Sequence, residues 1–268
     1  FSVLLEIYSF YISSFKKIKS FCKINLSLKI IKKLNNGYHN IASLITFCNL
    51  YDVITINKIK KKKDSISFYG KFKKGINNKT NTITKTLDLL RKNNLFKNQN
   101  FKIRIKKNIP HGSGLGGGSS NAAYLLNYLN LNMQLKLGKN RLKKIARAIG
   151  SDVPIMLEKK YSFLTGENNK ILRINKKLNL NILVVYPNLS CSTELMYKKN
   201  KKISFLRPKV NFYERNKNKI IHILMNESND LQNIAIKIYP TIGNTIKLIE
   251  SQKGCYFSRI TGSGSACI

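Results

Sequence analysis

The stretch that decides the fold is His111-Gly112-Ser113-Gly114-Leu115-Gly116-Gly117-Gly118-Ser119-Ser120. Glycine adopts positive φ at little cost and lets the backbone approach a ligand closely. A glycine-rich turn that opens into a helix presents main-chain N–H groups to an anion, and the helix macrodipole adds about half a positive charge at that end. The stretch is therefore predicted to bind phosphate, with a flexible linker that binds no ligand as the alternative.

The flanks of this loop have the periodicity of a strand and a helix. Apolar residues alternate from Phe101 to Ile105, which predicts a strand before the loop. After it, helical spacing continues to Leu131, with Ser119 or Ser120 as the N-cap. No Gly-Lys-Ser/Thr follows, so the loop is not of the Walker type, and it lacks the downstream acid of a dinucleotide fingerprint.

Periodicity also predicts the other elements of the chain. They are strands over 21–31, 53–59, 65–72 (paired back on the preceding strand as a hairpin) and 182–186 (buried), a turn at Asn35-Asn36-Gly37, and helices over 81–95 and 141–149. The chain has 268 residues, 43% of them hydrophobic, which is enough to bury a sizeable core. We therefore expect two domains.

The charge of the chain is strongly positive. Lysine and arginine number 49 against 12 acidic residues, giving a formal net charge of +37. Such a balance ordinarily indicates a polyanionic partner. Here the basic residues are mostly lysine, spread along the chain with abundant asparagine and isoleucine, which is typical of drift in an A/T-rich coding sequence. A dedicated nucleic-acid function is therefore disfavoured, although the positive field still attracts anionic substrates.

The cysteines and the apolar runs predict a location. The five cysteines are scattered, and no Cys-x-x-Cys pair occurs. This usage predicts a reduced, cytoplasmic protein without a metal site. No segment approaches 18 consecutive apolar residues, so no membrane partner is expected. Residues 1–19 fit a signal peptide poorly and are predicted to be an extension of unknown role.

Five sequence blocks together resemble a known family. The glycine loop matches the pattern Pro-x-x-x-Gly-Leu-Gly-x-x-Ser-Ser/Asn-Ala of the GHMP kinases, from Pro110 through Ala122 and Ala123. The other blocks occur in the family's order. They are Lys23-Ile24-Asn25-Leu26, Asn36-Gly37-Tyr38-His39, Gly150-Ser151-Asp152-Val153-Pro154 and Ile260-Thr261-Gly262-Ser263-Gly264. The resemblance covers roughly residues 22–268.

The resemblance implies a fold and its division. We expect an α+β, two-domain GHMP kinase fold, with a ribosomal-S5-domain-2-like, nucleotide-binding first domain over 20–170. A ferredoxin-like α/β sandwich is expected over 171–268, with the active site in the cleft between the two domains. The family's pattern continues past Gly264 through a further helix and strand, so this second domain is expected to be incomplete.

The resemblance also implies a reaction. We expect ATP, with Mg²⁺, to phosphorylate the 2-hydroxyl of a small-molecule substrate, 4-diphosphocytidyl-2-C-methyl-D-erythritol. The expected assembly is a monomer or a weak homodimer. The candidate residues for binding ATP are Pro110, Gly112, Ser113, Gly114, Leu115, Gly116, Gly117, Gly118, Ser119 and Ser120.

Two residues are candidates for catalysis. Phosphoryl transfer needs a group that accepts the proton of the attacking hydroxyl and positive charge near the phosphate. Asp152 follows a helix-ending glycine, a turn position from which a carboxylate can project. Lys23 lies in an early strand, and its charge would favour an ionised carboxylate nearby. In the family these positions are the base and its lysine partner.

Aromatic and polar residues are candidates for binding the substrate. The ring of Tyr38 offers a face on which a pyrimidine can stack, and His39 can hydrogen-bond the edge of cytosine. The resemblance places a second aromatic at Tyr197, although the family usually has phenylalanine there and Thr-Pro where this chain has Thr193-Glu194. The remaining candidates are Asn25, Thr193, Thr261, Gly262 and Ser263.

Two alternatives stay open at the level of the sequence. One is another GHMP kinase that acts on a small alcohol, of the homoserine or mevalonate type, which would have no use for two aromatic rings that hold a pyrimidine. A basic nucleic-acid-binding protein without catalytic activity would bind RNA or DNA with a steep dependence on salt.

Overall fold

The structure is a computed structural model that describes residues 16–35, 37–96, 98–165, 170–175, 180–201, 203–204 and 216–268. Its strands are β1 Lys16–Asn25, β2 Lys29–Lys33, β3 His39–Ile59, β4 Ser65–Tyr69, β5 Asn100–Lys106, β6 Ser162–Thr165 and β7 Ile171–Arg173. Its helices are α1 Thr82–Lys92, α2 Gly117–Asn132, α3 Lys139–Ile149, α4 Val153–Met156, α5 Thr193–Lys199, α6 Lys217–Met225, α7 Gln232–Ile238 and α8 Pro240–Glu250. Residues 1–15 of the predicted extension and Asn36 of the predicted turn lie outside the described residues.

The described chain forms two compact units. The first comprises 16–20, 51–108 and 118–154, and the second comprises 21–50, 109–117 and 155–268. Strand β3 contributes its first half to the second unit and its second half to the first. The mixture of sheet and helices confirms the predicted α+β class. Within the described ranges, no helix combines the length and the apolar character that a membrane crossing needs.

The first unit contains the strand that leads to the glycine loop. Strand β5 pairs antiparallel with the second half of β3, from Val53 opposite Lys106 to Ile59 opposite Asn100. The alternation predicted over 101–105 is confirmed, because Phe101, Ile103 and Ile105 are buried. Helices α1, α2 and α3 supply further buried side chains to this unit. Those side chains include Ile83, Leu87, Leu90, Leu125, Leu129 and Ile145.

The predicted hairpin of 65–72 on 53–59 is wrong. Strand β4 pairs parallel with β5, so that β5 lies between β4 and β3. The physical reason lies at Asp64, where the chain enters β4. Its carboxylate accepts a hydrogen bond from the N–H of Phe101 (2.8 Å) and forms a two-pronged ion pair with Arg91 (2.7 and 3.0 Å). These bonds tie the start of β4 to the start of β5.

The second unit has a sheet and two apolar clusters. The first half of β3 pairs antiparallel with β2 and with β6, and β6 pairs with β7. One cluster is built around Ile24, Leu44 and Leu224, and the other contains Leu28 and Ile246. The buried strand predicted over 182–186 is wrong, since only Val185 forms a β-bridge, with Cys267, and Leu183 is exposed. An apolar run does not reveal whether a neighbouring strand is there to pair with it.

Candidate active site

The glycine loop follows β5 and leads into α2. Gly112, Gly114 and Gly116 have φ values of +64°, +81° and +69°, the left-handed region that favours glycine. Helix α2 begins at Gly117, so Ser119 and Ser120 lie inside its first turn and the predicted serine N-cap is wrong. The alternating left-handed glycines therefore turn the chain sharply just before the first amides of the helix. Positive φ values before the exposed amides of a helix N-terminus are typical of loops that bind anions.

Within the second unit, main-chain hydrogen bonds hold the loop at three points. The bonds are Cys191 N to Gly112 O (3.0 Å), Ala266 N to Ser113 O (3.0 Å) and Lys23 N to Leu115 O (3.1 Å). Strand β1 is the source of the third bond, so the candidate catalytic lysine and the loop are fixed to each other through their backbones.

The glycine loop also packs backbone against backbone on the turn at 261–264. A Cβ atom on Gly114 would lie 1.9 Å from the carbonyl oxygen of Thr261, and one on Gly264 would lie 1.9 Å from the nitrogen of Gly114. Neither position has room for a side chain. The second glycine turn, a weak signal in the sequence, therefore supports the first.

The three serines of the loop have different surroundings. The hydroxyl of Ser113 is buried and donates to the carbonyl of Pro110 (2.8 Å). In the first unit, Ser120 is fully buried and its hydroxyl hydrogen-bonds Ser20 (2.8 Å). Ser119 is partly exposed. Of the three hydroxyls, that of Ser119 is therefore the best placed to meet a ligand.

Lys23 lies between the two glycine turns of the second unit. Its side chain is 4% exposed, and its ammonium donates to Oδ1 of Asn25. A Cβ on Gly116 would approach the Lys23 side chain to 3.1 Å, and one on Gly262 would come within 2.8 Å of its Nζ. Because Gly116 and Gly262 have no side chains, the side chain of Lys23 fits close to both of them.

Asn25 and Thr261 are joined directly. The N–H of Asn25 donates to the hydroxyl of Thr261 (2.8 Å), and its side-chain amide donates to Ser43 (2.7 Å). Both hydrogen bonds are buried. The structure thus brings Lys23 and Asn25 together with Thr261 and Gly262, which are far from them in sequence. All four residues lie beside the glycine loop.

Asn229 holds this turn in position, a role that the sequence did not reveal. Its side-chain amide donates to the carbonyls of Ile260 (3.0 Å) and Gly262 (2.8 Å). Sequence reasoning assigns the Ser228-Asn229-Asp230 segment to helix capping and packing. The signal that could have indicated more is an asparagine beside a serine and an aspartate, residue types that bond backbone groups.

The candidate pyrimidine-binding residues lie in the second unit. The rings of His39 and Tyr197 stack, with centroids 5.0 Å apart and planes at 29°. Burial, with a smaller contribution from the charge of Lys33, lowers the pKa of His39 below 6.5, so the imidazole is neutral at pH 7. Tyr38 is 62% exposed. The ring of Tyr38 thus has the accessible face that stacking on a base requires.

Thr193 and Ser263 are also brought together. Their hydroxyls are 2.8 Å apart, which links the start of α5 to the second glycine turn. Helix α5 begins after Ser192, whose side chain caps it by accepting from the N–H of Leu195.

Asp152 belongs to the first unit. It lies in the turn between α3 and α4, where the N–H of Val153 donates to the carbonyl of Gly150 (3.2 Å). The predicted helix over 141–149 is confirmed by α3, and Asp152 is partly exposed, as a carboxylate that meets a ligand must be. In the described part of the chain, no group of three or more His, Cys, Asp or Glu side chains is arranged to hold a metal ion.

Cys22, which precedes Lys23 in strand β1, lies against Cys48. The sulfur atoms of Cys22 and Cys48 are 3.0 Å apart. The hydrogen bond from Cys22 lowers the pKa of the Cys48 thiol to about 6, with a smaller contribution from the charge of Lys159 and in opposition to burial. Cys48 is partly exposed, so a reagent in solution can reach its thiol.

This fold and its glycine loop define a class of small-molecule kinase. Residues 81–159 match the profile described as "GHMP kinases N terminal domain", and residues 210–268 match "GHMP kinases C terminal". The chain belongs to the GHMP kinase family.

Individual relatives carry more specific names than the family profiles do. A protein of Pelagibacter ubique named 4-diphosphocytidyl-2-C-methyl-D-erythritol kinase is 39% identical, over 94% of this chain and 88% of its own length. A crystal structure of 4-(cytidine 5'-diphospho)-2C-methyl-D-erythritol kinase aligns with a TM-score of 0.68 at 23% identity, over 94% of this chain and 88% of that one. A homoserine kinase from Cytophaga hutchinsonii also aligns with a TM-score of 0.68, at 16% identity, over 95% and 85% of the two chains.

The packing of the two glycine turns leads to a first prediction. Gly114→Ala adds a methyl group that would lie 1.9 Å from the carbonyl oxygen of Thr261, at a φ of +81°. Gly254→Ala is the matched control, since its φ is +85° but no atom lies within 4 Å. The conformational cost of alanine in this region is about 1 kcal/mol, which for a chain of this size lowers the thermal midpoint by roughly 2–4 °C. We expect that shift for Gly254→Ala and a clearly larger one for Gly114→Ala. Equal shifts in thermal unfolding would contradict the close packing.

The cysteine pair leads to a pH-dependent prediction. Because the pKa of Cys48 is about 6, its thiolate fraction rises around pH 6, whereas an ordinary thiol titrates near 8.5. Alkylation of Cys48 by iodoacetamide, followed by peptide mass spectrometry, is expected to have its rate midpoint near pH 6 in the folded protein. The variant Cys22→Ala removes the hydrogen bond that lowers the pKa, so the midpoint is expected to move to higher pH. A midpoint that is the same in the folded and the urea-unfolded chain would refute the assignment.

Proposed function

We propose that this chain transfers the γ-phosphoryl group of ATP to the 2-hydroxyl of 4-diphosphocytidyl-2-C-methyl-D-erythritol, a step in the formation of isoprenoid precursors. The observation that carries the proposal is the 39% identity, over 94% of this chain, with a protein of that name. The fold alone does not select the substrate, because a homoserine kinase aligns with the same TM-score as the cytidine-diphosphate enzyme. The homoserine kinase from Cytophaga hutchinsonii is 16% identical to this chain, which supports a shared fold and not a shared substrate.

The glycine loop is the proposed site for the ATP phosphates. Left-handed φ values at Gly112, Gly114 and Gly116 support this assignment, as does the start of α2 at Gly117, because main-chain amides at such a turn favour an anion. When bound, Mg²⁺ would neutralise negative charge on the phosphates. The partly exposed hydroxyl of Ser119 is our candidate protein ligand for it, since Mg²⁺ prefers oxygen donors and few of them need come from the protein.

We assign Asp152 as the base and Lys23 as the source of positive charge. In this assignment the proton of the 2-hydroxyl passes to the Asp152 carboxylate as the hydroxyl oxygen attacks the γ-phosphorus and ADP leaves. The near-complete burial of Lys23 and its hydrogen bond to Asn25 support a role in which the ammonium is held in one orientation. A charge held in a site that excludes water stabilises a developing negative charge more than a solvated one does.

Two groups of residues are proposed to bind the two ends of the substrate. Tyr38, His39 and Tyr197 are assigned to the cytidine end, because an exposed tyrosine and a neutral histidine stacked on a second ring suit a flat pyrimidine. The methylerythritol and diphosphate end is assigned to the polar residues on and around the second glycine turn. These residues are Asn25, Thr193, Thr261, Gly262 and Ser263.

The location, the assembly and the domain bounds of the chain are proposed as well. We propose a cytoplasmic monomer or weak homodimer, with domains over 20–170 and 171–268. Analytical ultracentrifugation of the purified chain, with and without ATP, tests the assembly.

The assigned base is tested by Asp152→Asn. We expect kcat to fall by at least about 100-fold, the usual range for a lost general base, with little change in ATP affinity. The measurement is release of ADP in the presence of 4-diphosphocytidyl-2-C-methyl-D-erythritol. Asp88→Asn, which alters an exposed carboxylate of α1 in the same unit, is the control and is expected to retain full activity. Retention of more than a third of kcat by Asp152→Asn would exclude Asp152 as the base.

The stacking role is tested by Tyr38→Ala. Loss of a base–aromatic stack costs about 1–3 kcal/mol, so KM for the cytidine substrate is expected to rise about 5- to 150-fold, with KM for ATP unchanged. Tyr256→Ala is the control, because Tyr256 lies in the same unit and is equally exposed, at 60% against 62%. The proposal fails if both variants change KM alike, or if homoserine or mevalonate is turned over as efficiently as the cytidine substrate.

A further inference from the structure

A buried polar network in the first unit joins the two ends of the glycine loop. Lys107 directly follows β5, and Asn121 lies in the second turn of α2, so residues 108–120 form the segment between them. The ammonium of Lys107 donates to the side-chain oxygen of Asn121 at 3.0 Å. This side-chain hydrogen bond closes the segment that contains the loop.

Asp52 completes the network as the counter-ion. One of its oxygens accepts from the Lys107 ammonium and from the Asn121 amide (3.0 Å), and the other accepts from the N–H of Asn108 (2.7 Å). Lys107 is 2% exposed, Asn121 2% and Asp52 0%. Burial lowers the pKa of Lys107, and the charge of Asp52 opposes that shift. The three side chains form a closed triangle shielded from water.

The network continues to the first turn of α2. The second hydrogen of the Asn121 amide bonds the hydroxyl of Ser20 (3.0 Å), which in turn hydrogen-bonds Ser120 (2.8 Å). Both hydrogens of the Asn121 amide and its oxygen are therefore engaged. Ser20 belongs to β1, so the start of α2 is fixed to a strand as well as to Lys107.

Stability alone does not account for this arrangement. Withdrawing a lysine and an aspartate from water is costly, and apolar residues of similar volume often stabilise a fold as well or better. A fully satisfied polar network does something that apolar packing does less well, because it permits one geometry. The geometry set here is the separation of β5 and α2, the two elements that carry the loop.

We propose that Lys107, Asp52 and Asn121 are positioning residues that hold the two ends of the glycine loop at the separation that binding of a nucleoside triphosphate requires. This inference rests on the proposed function, since it gives the loop a nucleotide to bind. The three residues act through the backbone and do not touch the ligand. A loop fixed in advance loses less conformational freedom on binding, so its affinity is higher.

The test begins with Asn121→Ala, which removes the bond between the loop ends and leaves the Lys107–Asp52 ion pair in place. Hydrogen exchange of the amides of residues 111–120, measured without nucleotide, is expected to accelerate about tenfold. The Kd for AMP-PNP is expected to rise about tenfold, and kcat is expected to change less. Ile103→Val is the control for a general loss of stability, since it removes one buried methyl group from β5 in the same unit and is expected to leave the Kd unchanged.

If Asn121→Ala does not fold, the pair Lys107→Met with Asp52→Leu removes both buried charges and the closing bond together. The same faster exchange and weaker AMP-PNP binding are expected for it. Exchange rates and Kd within twofold of the parent chain, in either the single or the double variant, would overturn the proposal. So would equal changes in Asn121→Ala and Ile103→Val. A parent chain that binds AMP-PNP but does not phosphorylate the cytidine substrate would count against the proposed function and leave this test intact.

Discussion

The contact on which the candidate site depends is that of one glycine turn on another. Gly114 and Gly264 approach so closely that neither tolerates a Cβ atom, and the backbone of Ser113 is hydrogen-bonded to Ala266. Packing of this kind is available only to glycine, because any side chain would separate the two backbones. It fixes the second turn against the loop, and with it Thr261 and Gly262. Lys23 occupies the space that the absent side chains of Gly116 and Gly262 leave.

Three buried cations of this highly basic chain, among the described residues, each have hydrogen-bond acceptors. Lys107 has Asp52 and Asn121, while Lys23 has Asn25. Arg259, 4% exposed, donates to the carbonyls of Leu26 and Leu224, and burial lowers the pKa of its guanidinium to about 10. A buried cation requires such partners because leaving it unpaired costs several kcal/mol. The net charge of +37 therefore does not describe the surroundings of these three buried cations, which are set by specific acceptors.

Fold and sequence identity give different kinds of information about this chain. A 4-(cytidine 5'-diphospho)-2C-methyl-D-erythritol kinase and a homoserine kinase align with it equally well, so the fold does not distinguish between them. Function resides in side chains placed on such a fold. The substrate assignment therefore depends on identity with named relatives and on the rings near His39, and the fold supplies the loop and the turns that such kinases have in common.

The sequence by itself determined the features that depend on local pattern. The strand over 101–105, the glycine loop and the helices at α1, α2 and α3 follow from periodicity and turn chemistry, and the motif blocks identified the family. Local pattern did not determine which strand pairs with which. The parallel pairing of β4 with β5 depends on Asp64 reaching Phe101 and Arg91, and among the described residues the 182–186 run forms a β-bridge at Val185 with Cys267 and is not a strand of a sheet.

Only the tertiary structure decided how the site residues are held. The sequence indicated Lys23, Asn25 and Thr261 as candidates, but their contacts join positions more than 200 residues apart in sequence, as the Asn25–Thr261 bond does. The Lys107–Asn121 bond had no distinctive local signal, since lysine and asparagine are common throughout the chain. The physical reason is that a hydrogen bond between side chains depends on distance in space, which periodicity along the chain does not specify.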